Sequence, residues 1–245
     1  MKPIHVEQAI FSSADRGGMK GYQLIARSAG IDREASNELC RWSPTRTLDD
    51  RPDHWTINAF PISGDRFAVT RTVVGGPEYS SRGVSQIVTL ILVLHDLQLS
   101  RYSYNPILVV KTAMATGGLR LPLDMNKTRL PTIELPGEPL YQEPDPLLSR
   151  SASDEDAGVY EQLTSELAKD RRVAVIGQIN PLKMLGDLIP RLNADQRATL
   201  SFTTGLAPAI RRPFRIHFLR GADVPMRHTL NSQSITSIQV GHFTA

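Results

Sequence analysis

The chain has one cysteine in 245 residues. Cys40 therefore has no partner for an internal disulfide, and without a second thiol a cysteine-rich zinc site is excluded. Long apolar runs are missing too. The longest, Ile87 to Leu94, is interrupted by Thr89 and followed by His95 and Asp96, far short of the roughly 20 residues that span a bilayer. The N-terminal MKPIHVEQAI has neither a continuous apolar stretch nor a small-residue cleavage site. It does not read as a secretion signal, so a cytoplasmic location is expected. Aromatic residues make up only 6% of the chain and do not interleave with basic ones, as a surface that stacks bases would require.

Catalytic spacing is also absent. The histidines are His5, His54, His95, His217, His228 and His242, and no two lie at the i, i+4 spacing that puts ligands on one helix face. Structural or solvated roles are expected for them, with His217 in RIHFL facing one side of a strand. Ser63 in ISGD and Ser85 in GVSQ lack the surroundings of a nucleophile elbow. Asp15, Asp65 and Asp96 fall at loops or strand ends, where only the fold decides whether one meets a histidine. Gly17, Gly18 and Gly21 are not enclosed by a strand and a following helix, and VIGQINPLKMLG lacks the Gly-Lys-Ser/Thr that closes a phosphate loop. Nucleotide hydrolysis is not expected, and no catalytic residue, metal or cofactor is assigned.

What the chain does have is 40% hydrophobic residues, enough for one large core or two small ones. Its net charge of +3 is unevenly spread. Pro131 to Asp170 carries ten acids against Arg150 and Lys169, a net of −8, whereas Arg171 to His228 carries ten Lys or Arg against three Asp, a net of +7. A basic surface for an anionic partner is one reading. An acidic linker beside a basic domain is the plainer one.

HVEQAIFSS and GYQLIARSAG flank Arg16, Gly17 and Gly18 and predict a hairpin. Asp32 is placed to cap REASNELCRW, a helix that Pro44 ends, with Cys40 expected as a small buried core residue. WTINAFPIS and RFAVTRTVVGG predict a second hairpin around Gly64 and Asp65, with Pro61 marking an edge or bulge. SQIVTLILVLH reads as a strand covered on both faces, and NPILVVKTAMATGG as a helix opened by Pro and closed by Gly. Six prolines from Pro122 to Pro146, followed by the polar RSASDEDAG, mark an extended connector. Beyond it come a helix over Val159 to Ala168, the strand RRVAVIGQ and a helix around Pro190. A short helix in NADQRATL, the strands SFTTGL and PFRIHFLR and an edge strand in SITSIQVGHF complete the pattern.

This order predicts a two-lobed α/β fold. Residues 1–121 would form a longin-like lobe, a mainly antiparallel five-stranded sheet with flanking helices. Residues 122–157 would be the connector and 158–245 a smaller α/β lobe.

AIFSSADRGGMKGYQLIARSAGI, the helix ending LCRWSPT and the hairpin INAFPISGDRFAVTRTVVGG resemble the N-terminal domain of bacterial GTPase-associated proteins. The likeness runs through Gly21, Tyr22, Gln23, Leu24 and Ser28 and covers about the first half of the chain. Family members are encoded beside small Ras-like GTPases in multi-component signalling or defence systems, and larger ones carry further C-terminal domains. The element order also resembles DENN modules, which bind Rab GTPases. The resemblance implies a non-enzymatic adaptor or regulator with a small GTPase as partner, and no catalytic residues to carry over.

Candidate contact residues are Asp15, Arg16, Met19 and Lys20 at the first hairpin tip, and Arg211 and Arg212 before PFRIHFLR, with the arginines able to serve in trans on a partner. Pairing through an uncovered strand edge would give a homodimer. The alternatives are a hydrolase or transferase whose site converges only in space, and nucleic-acid binding by the Arg-rich second half.

Overall fold

The computed structural model describes residues 2–16, 18–46, 48, 55–78, 85–121, 124–140, 154–209, 211–212 and 214–241. Strands β1 (Ile4–Arg16) and β2 (Met19–Arg27) form the first hairpin, in register from Ala9↔Arg27 to Arg16↔Met19. Gly18 turns it with φ +81, where a side chain would be strained. Helix α1 (Arg33–Trp42) starts at Asp32, whose carboxylate accepts the Ala35 N–H at 2.8 Å. β3 (Trp55–Ile62) and β4 (Arg66–Pro77) make the second hairpin, closed through Gly64 and Asp65, both at positive φ. β5 (Ser85–His95) lies between β4 and β1, antiparallel to each, and is buried on both faces from Ile87 to Leu94. α2 (Asp96–Ser100) and α3 (Pro106–Ala115) follow, and β6 (Ile133–Leu135) pairs with Ile4–Val6.

The second half runs α4 (Asp154–Ala168), β7 (Val173–Ile176), α5 (Pro181–Leu188), α6 (Ala194–Ala198), β8 (Phe202–Thr203), β9 (Ile216–Leu219), α7 (Val224–Ser232) and β10 (Thr236–Gln239). Pro190 sits in a 3-10 turn that ends α5, since it cannot extend the ladder. β10, β7, β9 and β8 are mutually parallel.

The result is a mixed α/β molecule in which the ten strands of the described residues join one sheet, in the order β10-β7-β9-β8-β3-β4-β5-β1-β2, with β6 added beside β1. The five strands of the first half are antiparallel neighbours, but they do not close off as a separate lobe. Asn58↔Thr203 and Ala59↔Phe202 continue the sheet into the second half. Pro61 is compatible with this because β8 pairs with β3 only at Asn58 and Ala59.

Burial follows the same continuity. α3 is apolar on nearly every side, and Ile107, Leu108, Val109, Val110 and Ala113 share one cluster with Leu185, Leu188, Phe202 and Ile216 from the second half. On the opposite face Phe11, Leu39, Phe60 and Phe214 form a smaller cluster under α1.

Two sequence expectations change, and one helix lies where none was expected. Cys40 is exposed rather than buried. A short helix on a sheet buries a narrow stripe, here Ala35 and Leu39, and Cys40 lies about 100° round from Leu39. Residues 128–135 are anchored to the first half, through β6 and through Arg27, whose N–H donates to the Thr128 carbonyl. α7, opened by Asp223 accepting the Met226 N–H, occupies a stretch with no strong helical pattern.

Candidate functional site

Strand direction gathers several loops at one end of the sheet. The first hairpin tip, the start of β3, the end of β4 and the carboxyl ends of β7, β8 and β9 all lie there, because each register runs in the sense that brings them together.

At the hairpin tip, Asp15 and Lys20 are exposed and 3.5 Å apart, a surface pair that contributes little to stability. Arg16 is committed inward: its guanidinium donates to the Ile25 carbonyl at 3.1 Å and the Met125 carbonyl at 2.6 Å. The backbone of Met19 opens β2, and its side chain lies outside the described residues. Arg211 is exposed and Arg212 half-buried, in the loop that returns from the end of β8 to the start of β9. Desolvation pulls the Arg212 pKa down. Six strand spacings separate β2 from β9, on the order of 30 Å at about 4.8 Å each. The structure does not bring the two candidate groups together.

Some charges of the two opposed blocks meet each other or backbone among the described residues. Glu166 accepts from Lys169 at 2.8 Å and Arg171 at 3.1 Å, and Arg215 pairs with Asp170 at 3.2 Å. Arg197 donates to the carbonyls of Leu192 and Pro190, while Arg191 lies over the Tyr160 ring. These arginines act as local clamps.

A row of polar side chains crosses the sheet where its halves meet. His217, Thr203, Asn58 and Thr70 are successive neighbours on β9, β8, β3 and β4. Thr203 donates to Asn58 at 2.6 Å, and the Asn58 amide donates to Thr70 at 3.0 Å. All four are buried, and no carboxylate belongs to the row. His217 has an edge-on contact with Phe214 and an Nδ1 without a hydrogen-bond partner. Burial drives its pKa down to about 4; nearby Arg172 and Arg212 act in the same sense, against the Leu206 and Phe214 carbonyls. It is a neutral core histidine. His54 and His242 lie outside the described residues.

Ser63, Asp65, His95 and Asp96 line one broad groove of about 810 Å³ at the opposite end of the sheet. Their side chains are not coupled for catalysis: Asp96 accepts from the Tyr104 hydroxyl at 3.1 Å, and the Ser63 hydroxyl is buried without a partner. Nucleophilic chemistry needs the hydroxyl within reach of a base. The Cys40 thiol is a poor nucleophile for a different reason, since desolvation pushes its pKa up.

A smaller cleft lies at the carboxyl ends of β7, β8 and β9. It encloses about 230 Å³ and is lined by Trp55, Ile179, Leu182 and Phe218 with Thr204 and Arg220. Such a position is where open α/β sheets commonly take ligands. Gly177 shapes its wall. Its φ is +157, and a Cβ there would sit 2.3 Å from the Val240 carbonyl oxygen. Asn180 opens α5 by accepting the N–H groups of Leu182 and Lys183. The Gly177 and Asn180-Pro181 signals are visible in the sequence, but nothing there places them beside Trp55 and Arg220.

Among the described residues, no three His, Cys, Asp or Glu side chains converge as a metal site, and no helix is long and apolar enough to cross a membrane. A search of curated proteins and a search of solved structures each returned no match. Residues 5–136, over half of the 245, match the family model described as GTPase-associated protein 1, N-terminal domain type 2. That range runs from β1 to just past β6. The chain therefore belongs to the GTPase-associated protein 1 family, through an N-terminal domain of type 2.

Proposed function

We propose that this chain is a non-enzymatic adaptor or regulator that binds a small Ras-like GTPase within a multi-component bacterial signalling or defence system. The observation that carries the reading is the family match over residues 5–136. The uncoupled polar side chains of the broad groove support binding over catalysis. The division into 1–121, 122–157 and 158–245, as modules built onto one sheet, belongs to the same proposal, as does the longin-like character of the first module.

The hairpin tip is the proposed first contact. Asp15 and Lys20 reach solvent there, while Arg16 holds the tip in shape through two carbonyls. Of Arg16, Arg211 and Arg212, only Arg211 is exposed, and it is our candidate for an arginine acting in trans on a bound nucleotide.

The test is affinity capture of the purified chain with the small GTPase encoded beside it, loaded with GDP, loaded with a GTP analogue, or nucleotide-free. A complex in at least one state is expected. Absence of a complex in every state refutes the proposal.

A further inference from the structure

The broad groove at the turn between β3 and β4 is lined by negative charge and apolar surface together. Asp65, in the turn, and Asp96, at the start of α2, are both exposed. They are held side by side, because the Asp96 N–H donates to the Asp65 carbonyl at 2.9 Å. Glu38 of α1 brings a third carboxylate to the same turn by accepting the Ser63 N–H at 2.7 Å. Arg66 is the one Lys or Arg among the described lining residues. It is already committed: its guanidinium meets Asp32 at 2.8 Å and donates to the Ser63 carbonyl at 2.7 Å, and its side chain is only 8% exposed. Asp96 accepts from a neutral donor, the Tyr104 hydroxyl at 3.1 Å.

Beside these charges Ile62, Phe67 and Leu99 line the groove, and Leu97 in its wall is 80% exposed, the most exposed large apolar side chain described. A lone surface leucine is ordinary. One that borders a groove beside two exposed carboxylates is complementary to an occupant with both a cationic and an apolar part. The Ser63 hydroxyl, buried in the lining without a hydrogen-bond partner, offers one more polar contact. The volume of about 810 Å³ lies in the upper part of the roughly 300–1,000 Å³ range of ligand sites, which suits several side chains rather than a single ion. Phosphate-bearing ligands are disfavoured by the same carboxylates.

We propose that this groove docks a short peptide segment of a partner protein, which presents Lys or Arg to Asp65 and Asp96 and an adjacent apolar side chain to Leu97 and Ile62. The groove lies at the other end of the sheet from the first hairpin tip. It is therefore a second contact surface, and it does not rest on the GTPase reading.

Selection from a displayed library of random short peptides tests this, with the full chain as bait and the combined Asp65→Asn, Asp96→Asn, Leu97→Ser variant as counter-bait. All three side chains are exposed, and Asn tolerates the φ of +50 at position 65. The urea midpoint of the variant should match the native one. Peptides retained by the native chain and released by the variant should be enriched in Lys or Arg next to Leu, Ile or Phe, and depleted in Asp and Glu. For the tightest of them, Asp65→Asn with Asp96→Asn should weaken binding about fivefold or more at low salt, and less at high salt, where exposed charges are screened. Leu97→Ser should weaken it roughly threefold at either salt. No peptide that distinguishes the two baits, enrichment of acidic peptides, or an affinity indifferent to the paired Asp changes overturns the proposal. A dimer of the chain that the triple variant abolishes would give the groove to a second copy, and overturns it as well. No step uses a GTPase, so failure of GTPase capture leaves this test standing.

Discussion

Acidification should destabilise this protein through His217 before most carboxylates titrate. The ring is 1% exposed, and its pKa falls from 6.5 to about 4 in the folded state. The unfolded chain therefore binds a proton between these values that the folded chain refuses. Stability is complete above pH 6.5 and is lost as pH falls from about 6.5 to about 4; below that both states are protonated and no further loss comes from this group. A difference of about 2.5 units at 1.36 kcal/mol each makes the loss about 3 kcal/mol, a large fraction of the roughly 5–15 kcal/mol that keeps a domain folded. Urea unfolding followed by far-UV circular dichroism, at steps from pH 7.5 to 4, measures it. The same series on His217→Gln isolates the residue, since the amide is neutral throughout. The variant should lose most of the pH slope between 6.5 and 4. An identical slope in both proteins would refute the assignment of a neutral, buried imidazole.

Asn105→Ala removes a buried cap whose oxygen accepts the Ile107 and Leu108 N–H groups, and should cost about 1–2 kcal/mol in chemical denaturation. Gly177→Ala sets a Cβ against the Val240 carbonyl at a strained φ and should lower stability by roughly 2 kcal/mol or more. Gly186→Ala, inside α5 with open space at the same position, should raise stability by about 0.5–1 kcal/mol in the same assay. Lys20→Glu combined with Asp15→Lys should leave the unfolding midpoint nearly unchanged, because the pair is exposed, yet weaken GTPase capture; unaltered capture would remove the hairpin tip as the contact.

Local signals were legible wherever a residue acts on its near neighbours. Asp32 caps α1, Asn105-Pro106 opens α3 and Gly18 turns the first hairpin, each through bonds or torsions within a few residues. The double burial of β5 was legible because eight apolar or β-branched residues in succession leave no polar face. Cys40 was misplaced because a spacing of one residue from Leu39 turns the side chain about 100° away from the buried stripe. The candidate contacts divided in the same way: the hairpin tip formed as read, but Arg16 was drawn to the Ile25 and Met125 carbonyls, the latter held by a distant segment.

The sequence by itself determined most of the succession of strands and helices, apart from α2, β6 and α7, many of their caps and turns, and the family to which residues 5–136 point. Alternation along a strand says which side chains are buried together, and that information is local. Which strand lies beside which is decided by pairings between residues far apart in the chain. Only the tertiary structure could join β3 to β8, turning two expected lobes into one sheet. The same junction aligned His217 with Asn58 and carried Trp55 to the carboxyl ends of β7 and β9, where the cleft opens.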